Sequence, residues 1–318
     1  MSTAAPARKD FLSVLDFDPS DLERCLEIAA QVKADRTLGR QAPTSAALAG
    51  RHIAMLFEKA SLRTRSTFEI AVVELGGNVV SLQPEAALGK REPVADVARN
   101  LERWVDGIVI RTFSQRVLEE FARAAPRMRV INALSDDQHP CQALADVMTL
   151  REQWGPLRGR TVAYVGDGNN VAVSLVHATL MLGVNIHVVS PDGYQLPDWA
   201  VQQAAAASRH GARLRLFSDA ADGVAGADAV YTDTWTSMGQ EAEAERRRQV
   251  FAPYQVNDAL MSHAKPGALF MHCLPAHRGE EVTADVFESA ASVVFDQAEN
   301  RLHVQKALLV MLVAAAHA

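Results

Sequence analysis

The sequence predicts an α/β protein made of two doubly wound domains, each with a mostly parallel sheet flanked by helices. Three observations carry that prediction. The chain has 318 residues, too many for one comfortable core and enough for two. Short apolar runs of strand length alternate with stretches of helical periodicity, the pattern of a covered parallel sheet. The alternation also breaks off near residue 140 and then restarts.

The first segment, residues 13–36, has helical periodicity, with Leu22, Cys25, Leu26, Ile28, Ala29 and Val32 on one broad face. HIAMLF at 52–57 reads as a buried strand. A helix follows, because Phe68, Val72 and Leu75 recur at helical spacing and Gly76-Gly77 ends the pattern. NVVSL, GIVIR and RVINAL are three more strands, with helices near 94–104 and 115–124 between them. Pro140 suits the first position of another helix, so the join between domains is expected along residues 140–153. TVAYVG, NIHVVS, RLRLFS, AVYTD and ALFMHCL then supply the strands of a second unit, and a final helix is expected over 301–316.

Composition narrows the function. A net charge of −6 gives no general attraction to nucleic acid or to an anionic membrane, and neither partner is expected. The three cysteines, Cys25, Cys141 and Cys273, have no metal-like spacing and read as reduced thiols in a cytoplasm. The apolar C-terminal run ALLVMLVAAAHA is too short to span a bilayer, and MSTAAPARKD lacks the apolar core of a secretory leader.

Several short motifs carry chemistry. Ser61-Leu62-Arg63-Thr64-Arg65 falls at a strand-to-helix turn, where backbone N–H groups and the helix dipole favour an anion. Arg63 can fork onto phosphate oxygens, although a serine cap followed by a solvated basic turn would look the same. Arg65 is expected to turn away into an ion pair. Arg111 ends a strand, at the edge where α/β sheets bind ligands, and with Arg63 it would clamp a dianion. His139, ahead of Pro140, can donate to an oxyanion, and Gln142 can read an NH2 group through its carbonyl.

Gly166-Asp167-Gly168-Asn169-Asn170 invites a nicotinamide reading, but Val171 stands where the third glycine belongs and the fingerprint fails. What remains is a tight turn expected to present two amides at a helix start, with Asn170 available to a carboxylate. Asp233, in DTWTSMG, can hold an ammonium group. His272-Cys273-Leu274-Pro275 places a cysteine just after a strand.

SLRTR, HPCQ, DTWTSMG and HCLP, in that order and spacing, resemble the ornithine carbamoyltransferase family, from about residue 50 to Glu299-Asn300-Arg301. The resemblance implies two α/β domains with the active site in the cleft between them. Residues 1–145 would be the carbamoyl phosphate-binding domain, with the last helix, about 301–318, packed back onto it. Residues 146–300 would bind ornithine. The catalytic set would be Arg63, Arg111, His139 and Cys273. Carbamoyl phosphate would be held by Ser61, Leu62 (through its N–H), Arg63, Thr64, Arg111, His139, Gln142, Cys273, Leu274 and Arg301. Ornithine would be held by Asn170, Asp233, Ser237 and Met238.

The resemblance further implies transfer of a carbamoyl group to the δ-amine of ornithine in arginine biosynthesis, no metal or organic cofactor, and a homotrimer or a multiple of trimers. Acetylornithine or putrescine as acceptor, or a catalytically silent regulatory homologue, are the alternatives. Two positions depart from the family. Leu62 stands where threonine is common, which removes one hydroxyl contact to phosphate. Ala87 stands where relatives often carry glutamine or histidine reaching a neighbouring subunit, a contact that Lys90 or Arg91 would have to replace. A weaker affinity for carbamoyl phosphate is expected.

Overall fold

The computed structural model describes residues 10–59, 61–88, 91–236, 239 and 241–315. The chain divides into two compact units: Met1–Met148 with Glu299–Ala318, and Thr149–Ala298.

In the first unit, α1 (Pro19–Ala34) precedes β1 (His52–Phe57), α2 (Leu62–Glu74) and β2 (Asn78–Leu82). Then come α3 (Val94–Leu101), β3 (Gly107–Arg111), α4 (Gln115–Ala124), β4 (Arg129–Leu134) and the start of α5 (Pro140–Trp154). Helix α1 begins later than the apolar pattern does, because Asp18 forms a capping box with Asp21 and Pro19 takes the first helical position. The four strands are all parallel, in the order β2-β1-β3-β4. Ala54, Leu56, Ile108, Ile110 and Val130 from three of these strands form a core with Leu101, Leu118 and Phe121 of the covering helices.

In the second unit, β5 (Thr161–Val165), α6 (Asn170–Met181), β6 (Asn185–Val189), α7 (Asp198–Ala207) and β7 (Leu214–Phe217) fill one half. The other half holds β8 (Ala229–Thr232), α8 (Ala244–Phe251) and β9 (Leu269–His272). All five strands are parallel, in the order β7-β6-β5-β8-β9. Ala163, Val165, Val189, Val230 and Phe270 pack from the sheet onto Val224, Val286 and Phe287.

Both sheets reverse their winding once. The chain moves outward from β1 to β2 and then crosses to β3, and it moves outward from β5 through β7 and then crosses to β8. At such a switch point the loops leave neighbouring strands in opposite directions and open a crevice at their carboxyl ends. The motif SLRTR follows β1 and Arg111 ends β3, while GDGNN and DTW follow β5 and β8.

One expected boundary needs correction. The last helix, α9 (Val294–Leu309), starts seven residues before position 301 and continues as a π-helical stretch over Val310–Ala314. Nothing in Val294–Asn300 breaks a helix, so Glu299-Asn300-Arg301 lies inside it and not ahead of it. No helix among the described residues is long and apolar enough to cross a membrane.

Candidate active site

In the first unit the strand ends β1 and β3 are stitched together. Glu58 N–H donates to the Arg111 carbonyl at 2.8 Å, and the Glu58 carboxylate accepts from Thr112 Oγ1 at 2.7 Å. Lys59 is buried over the Phe113 ring, 4.0 Å from its centroid, and pairs with Asp136 at 2.8 Å. On this base Ser61 takes the cap position of α2, yet its hydroxyl does not cap the helix. The hydroxyl accepts from Arg111 Nη1 at 3.1 Å instead, which leaves the first turn of α2 uncapped by it.

Thr64 is buried and its hydroxyl accepts from Arg301 Nη2, which arrives from α9. Arg111, Arg301 and His139 sense one another's charge. Burial and the Arg301 guanidinium hold Arg111 down to about 10. Burial, Arg301 and Arg111 together hold His139 well below the usual imidazole range. Among the described residues no carboxylate lies within ion-pairing distance of Arg111. Two desolvated guanidiniums placed side by side are costly without an anion, so this arrangement is suited to a dianion such as phosphate. A neutral His139 adds an N–H that can donate to an oxygen gaining charge.

Gln142 sits in the first turn of α5 and is almost wholly buried. Its Nε2 donates to Asp146 Oδ1 at 2.8 Å, while its Oε1 is buried without a partner. The amide is therefore oriented with its acceptor free. Asp146 escaped the sequence reading, although i, i+4 spacing to Gln142 on a helix was the available signal. Burial pushes the Cys141 thiol up to about 12, so this cysteine is inert at neutral pH.

Arg63 is half-buried on α2, and its guanidinium has no carboxylate partner among the described residues. Leu62 projects into solvent with 77 % of its surface exposed. Arg65 turns away as expected and pairs with Glu69 at 2.8 Å. Ala87 is 5 % exposed and its methyl belongs to the apolar core of this unit. Arg91 is exposed, and Lys90 lies outside the described residues.

The second unit centres on Asp233. Its Oδ1 accepts from the Thr234 N–H at 2.8 Å and from the Cys273 thiol at 2.9 Å, while its Oδ2 accepts from Asn169 Nδ2 at 2.9 Å. Asn169 is fixed in turn, because its Oδ1 caps α6 by accepting from Val171 and Ala172 N–H. The Val171 and Ala172 N–H groups are consequently occupied, and so is Gly168 N–H, which donates to the Tyr194 carbonyl at 2.8 Å. Gly168 is needed for close approach: a Cβ there would lie 2.4 Å from the backbone at Gln195 and Leu196.

Asn170, the residue singled out from sequence, is half-buried in the first turn of α6, whereas it is Asn169 that touches Asp233. Ser237 and Met238 lie outside the described residues. The Trp235 carbonyl accepts from Arg247 at 2.9 Å while Arg247 pairs with Asp167 at 2.7 Å.

Leu274 follows with φ at 59°, held there by its N–H donating to His272 Nδ1 at 2.8 Å. Asp233, His272 and Cys273 each bring one potential metal-ligand atom within 4.8 Å of the others. The thiol of Cys273 is directed at Asp233, and both ring nitrogens of His272 are engaged by Leu274 and Glu281, so the three residues sit in a hydrogen-bond network.

Two parallel α/β units, one with an arginine cradle for a dianion and the other with a buried carboxylate fixed by a thiol and an amide, define a group-transfer enzyme of the carbamoyltransferase class. The carbamoyl-P binding domain of aspartate/ornithine carbamoyltransferases matches residues 9–152, and the Asp/Orn binding domain of the same proteins matches residues 158–312. The chain belongs to the aspartate/ornithine carbamoyltransferase family.

It is 48% identical over 312 residues to ornithine carbamoyltransferase of Thermococcus kodakarensis, covering 96% of each chain. The anabolic ornithine carbamoyltransferase of Pyrococcus furiosus is equally similar, 48% over 312 residues, again covering 96% of each. The structure of the Pyrococcus furiosus ornithine carbamoyltransferase superposes with a TM-score of 0.90 at 46% identity, covering 98% of this chain and 99% of that one. An N-acetyl-L-ornithine transcarbamylase complexed with PALAO is more distant, at 32% identity and a TM-score of 0.84, covering 96% of this chain and 100% of that one.

Proposed function

We propose that this protein transfers the carbamoyl group of carbamoyl phosphate to the δ-amine of L-ornithine, giving L-citrulline and phosphate. The observation that carries the carbamoyl phosphate half is the half-buried Arg111 and the buried Arg301 beside a neutral His139. Phosphate is held by the first turn of α2, including the Leu62 N–H, with Ser61, Arg63, Thr64, Arg111 and Arg301. Arg111 and His139 donate to the carbamoyl oxygen. The free Oε1 of Gln142, together with the carbonyls of Cys273 and Leu274, accepts from the carbamoyl NH2 group.

Asp233 receives the α-ammonium of ornithine, and Asn170, Ser237 and Met238 hold its α-carboxylate end. Cys273 faces the δ-amine. The neutral amine attacks the carbamoyl carbon, a tetrahedral oxyanion forms, and its charge is met by donors already in place before phosphate leaves with the bonding electron pair. The phosphate takes up the proton released by the amine.

The δ-amine has a lysine-like pKa of about 10.4, so kcat/KM rises with pH across the neutral range. The role is biosynthetic, in a cytoplasm, and the working form is a homotrimer or a multiple of trimers. Helix α2 supports an assembly of copies: Leu62, Ile70 and Val73, at helical spacing along one stripe, are 77%, 41% and 66% exposed. Light scattering at micromolar concentration tests it, and a monomer would refute it.

The deciding experiment is citrulline formation from carbamoyl phosphate, with ornithine, acetylornithine, putrescine and aspartate supplied in parallel. Turnover with ornithine alone is expected. Turnover with acetylornithine or putrescine would overturn the assignment of Asp233 and the 237–238 loop.

A further inference from the structure

We infer that Glu281 is a positioning residue: it selects the Nε2–H tautomer of His272, and that tautomer supplies the acceptor which holds Leu274 in its left-handed conformation. The inference rests on the reading of Cys273 and Leu274 as substrate-facing residues.

The hydrogen-bond directions settle the tautomer. A backbone N–H can only donate, and that of Leu274 points at His272 Nδ1 from 2.8 Å, so Nδ1 bears no proton. The single proton of the ring is then on Nε2, which lies 3.1 Å from Glu281 Oε1. Both side chains are fully buried, so water does not substitute for either partner. The same carboxylate oxygen accepts from His277 N–H at 2.5 Å. Glu281 is itself held through its backbone, with its carbonyl accepting from Val256 N–H at 2.9 Å.

Leu274 needs this support because φ of 59° is a conformation that L side chains avoid. Without an acceptor at position 281, His272 has two poor choices. It can keep Nε2–H and bury an unpaired donor, or it can move the proton to Nδ1 and face the Leu274 N–H donor to donor. The second choice releases the turn. Cys273 is the residue between, and its thiol is aimed at Asp233 by the same turn. Glu281 therefore acts through His272 and Leu274 on the orientation of Cys273, without touching substrate.

The test compares Glu281→Gln and Glu281→Met in the full-length protein, alone and in a His272→Asn background. Glutamine keeps an acceptor for Nε2–H and should leave kcat for citrulline within threefold of the parent. Methionine removes it and should lower kcat at least tenfold, with the KM for carbamoyl phosphate changed by less than twofold. Asparagine at 272 accepts from the N–H two residues on without a tautomer to choose. In that background Glu281→Met should cost less than twofold more.

A second readout is alkylation of Cys273 by iodoacetamide, since Cys25 and Cys141 are fully buried. Glu281→Met should raise that rate at least fivefold, and Glu281→Gln should not. Equal losses in both backgrounds, or unchanged kcat and alkylation in Glu281→Met, would overturn the inference. If Glu281→Met alone does not fold, the comparison within the His272→Asn background decides. A parent protein that makes no citrulline refutes the functional reading only, and the alkylation rates still decide the role of Glu281.

Discussion

Gln142 turns its amide nitrogen to Asp146 at 2.8 Å, and that one contact decides which end of the amide is left for a ligand. With Nε2 directed at Asp146, Oε1 is the acceptor that Gln142 offers, and an acceptor is what a carbamoyl NH2 requires. Replacing Asp146 with alanine frees the amide to rotate and leaves Nε2 without its partner. A roughly tenfold fall in kcat/KM for carbamoyl phosphate is expected, or about 1.4 kcal/mol of transition-state stabilisation. Affinity for inorganic phosphate should stay within twofold, as phosphate competition kinetics would register. Loss of phosphate affinity in equal measure would show that Asp146 supports the whole pocket and not the amide.

The Arg111–Arg301 pair should trade stability for binding. Arg111 is held down to about 10 by burial and by Arg301, which means that its charged form is disfavoured in the unliganded fold. Arg111→Met removes that cost, and the melting temperature of the ligand-free protein should rise by about 2–4 °C. The same variant should lose the stabilisation that the parent gains from millimolar phosphate, and kcat/KM should fall by about 10²–10³. Differential scanning fluorimetry with and without phosphate measures both effects. A lower melting temperature without ligand would contradict the electrostatic account.

Asp233 and Cys273 should separate by substrate. Asp233→Asn keeps the shape but discards the charge for the α-ammonium, so kcat/KM for ornithine should fall by about 10²–10³. Cys273→Ser keeps a donor to Asp233 Oδ1 and should cost about threefold, whereas Cys273→Ala leaves that oxygen short of one donor and should cost about tenfold. In all three variants the KM for carbamoyl phosphate should change by less than twofold. Steady-state kinetics with each substrate varied in turn tests the separation.

Buried histidines set the acid limit of the fold. His177 is fully buried and is held down to about 4 by desolvation. The folded state resists a proton that the unfolded chain accepts from about pH 6.5 downward. Its contribution is therefore intact above pH 6.5 and is lost as pH falls from there to about 4, at up to about 1.4 kcal/mol per pH unit. His139, also held down by burial and by the two arginines, acts in the same direction. Urea unfolding at pH 7.5 and pH 5 should show a smaller drop for His177→Leu than for the parent. An equal drop would mean that other groups carry the acid sensitivity.

Local chemistry in the sequence determined most of the elements. The apolar runs at 52–57, 78–82, 107–111 and 129–134 became strands because strand length and apolar content left no competing period. Pro140 started a helix because its missing N–H costs nothing in a first turn. The motif order, from SLRTR to HCLP, specified the family, and the motifs lie at strand ends or helix starts, where α/β sheets place their loops.

Tertiary structure decided the pairings. That Ser61 binds Arg111 and leaves its helix uncapped depends on β1 and β3 being neighbours, fifty residues apart in the chain. That Asn169 reaches Asp233 depends on its place as the cap of α6, a matter of one residue at a helix boundary. Arg301 joined Thr64 across 237 residues because α9 packs in the first unit. Burial did the rest: the low pKa of His139, the enclosed methyl of Ala87 and the tautomer of His272 are set by neighbours, and neighbours distant in sequence exist only once the chain has folded.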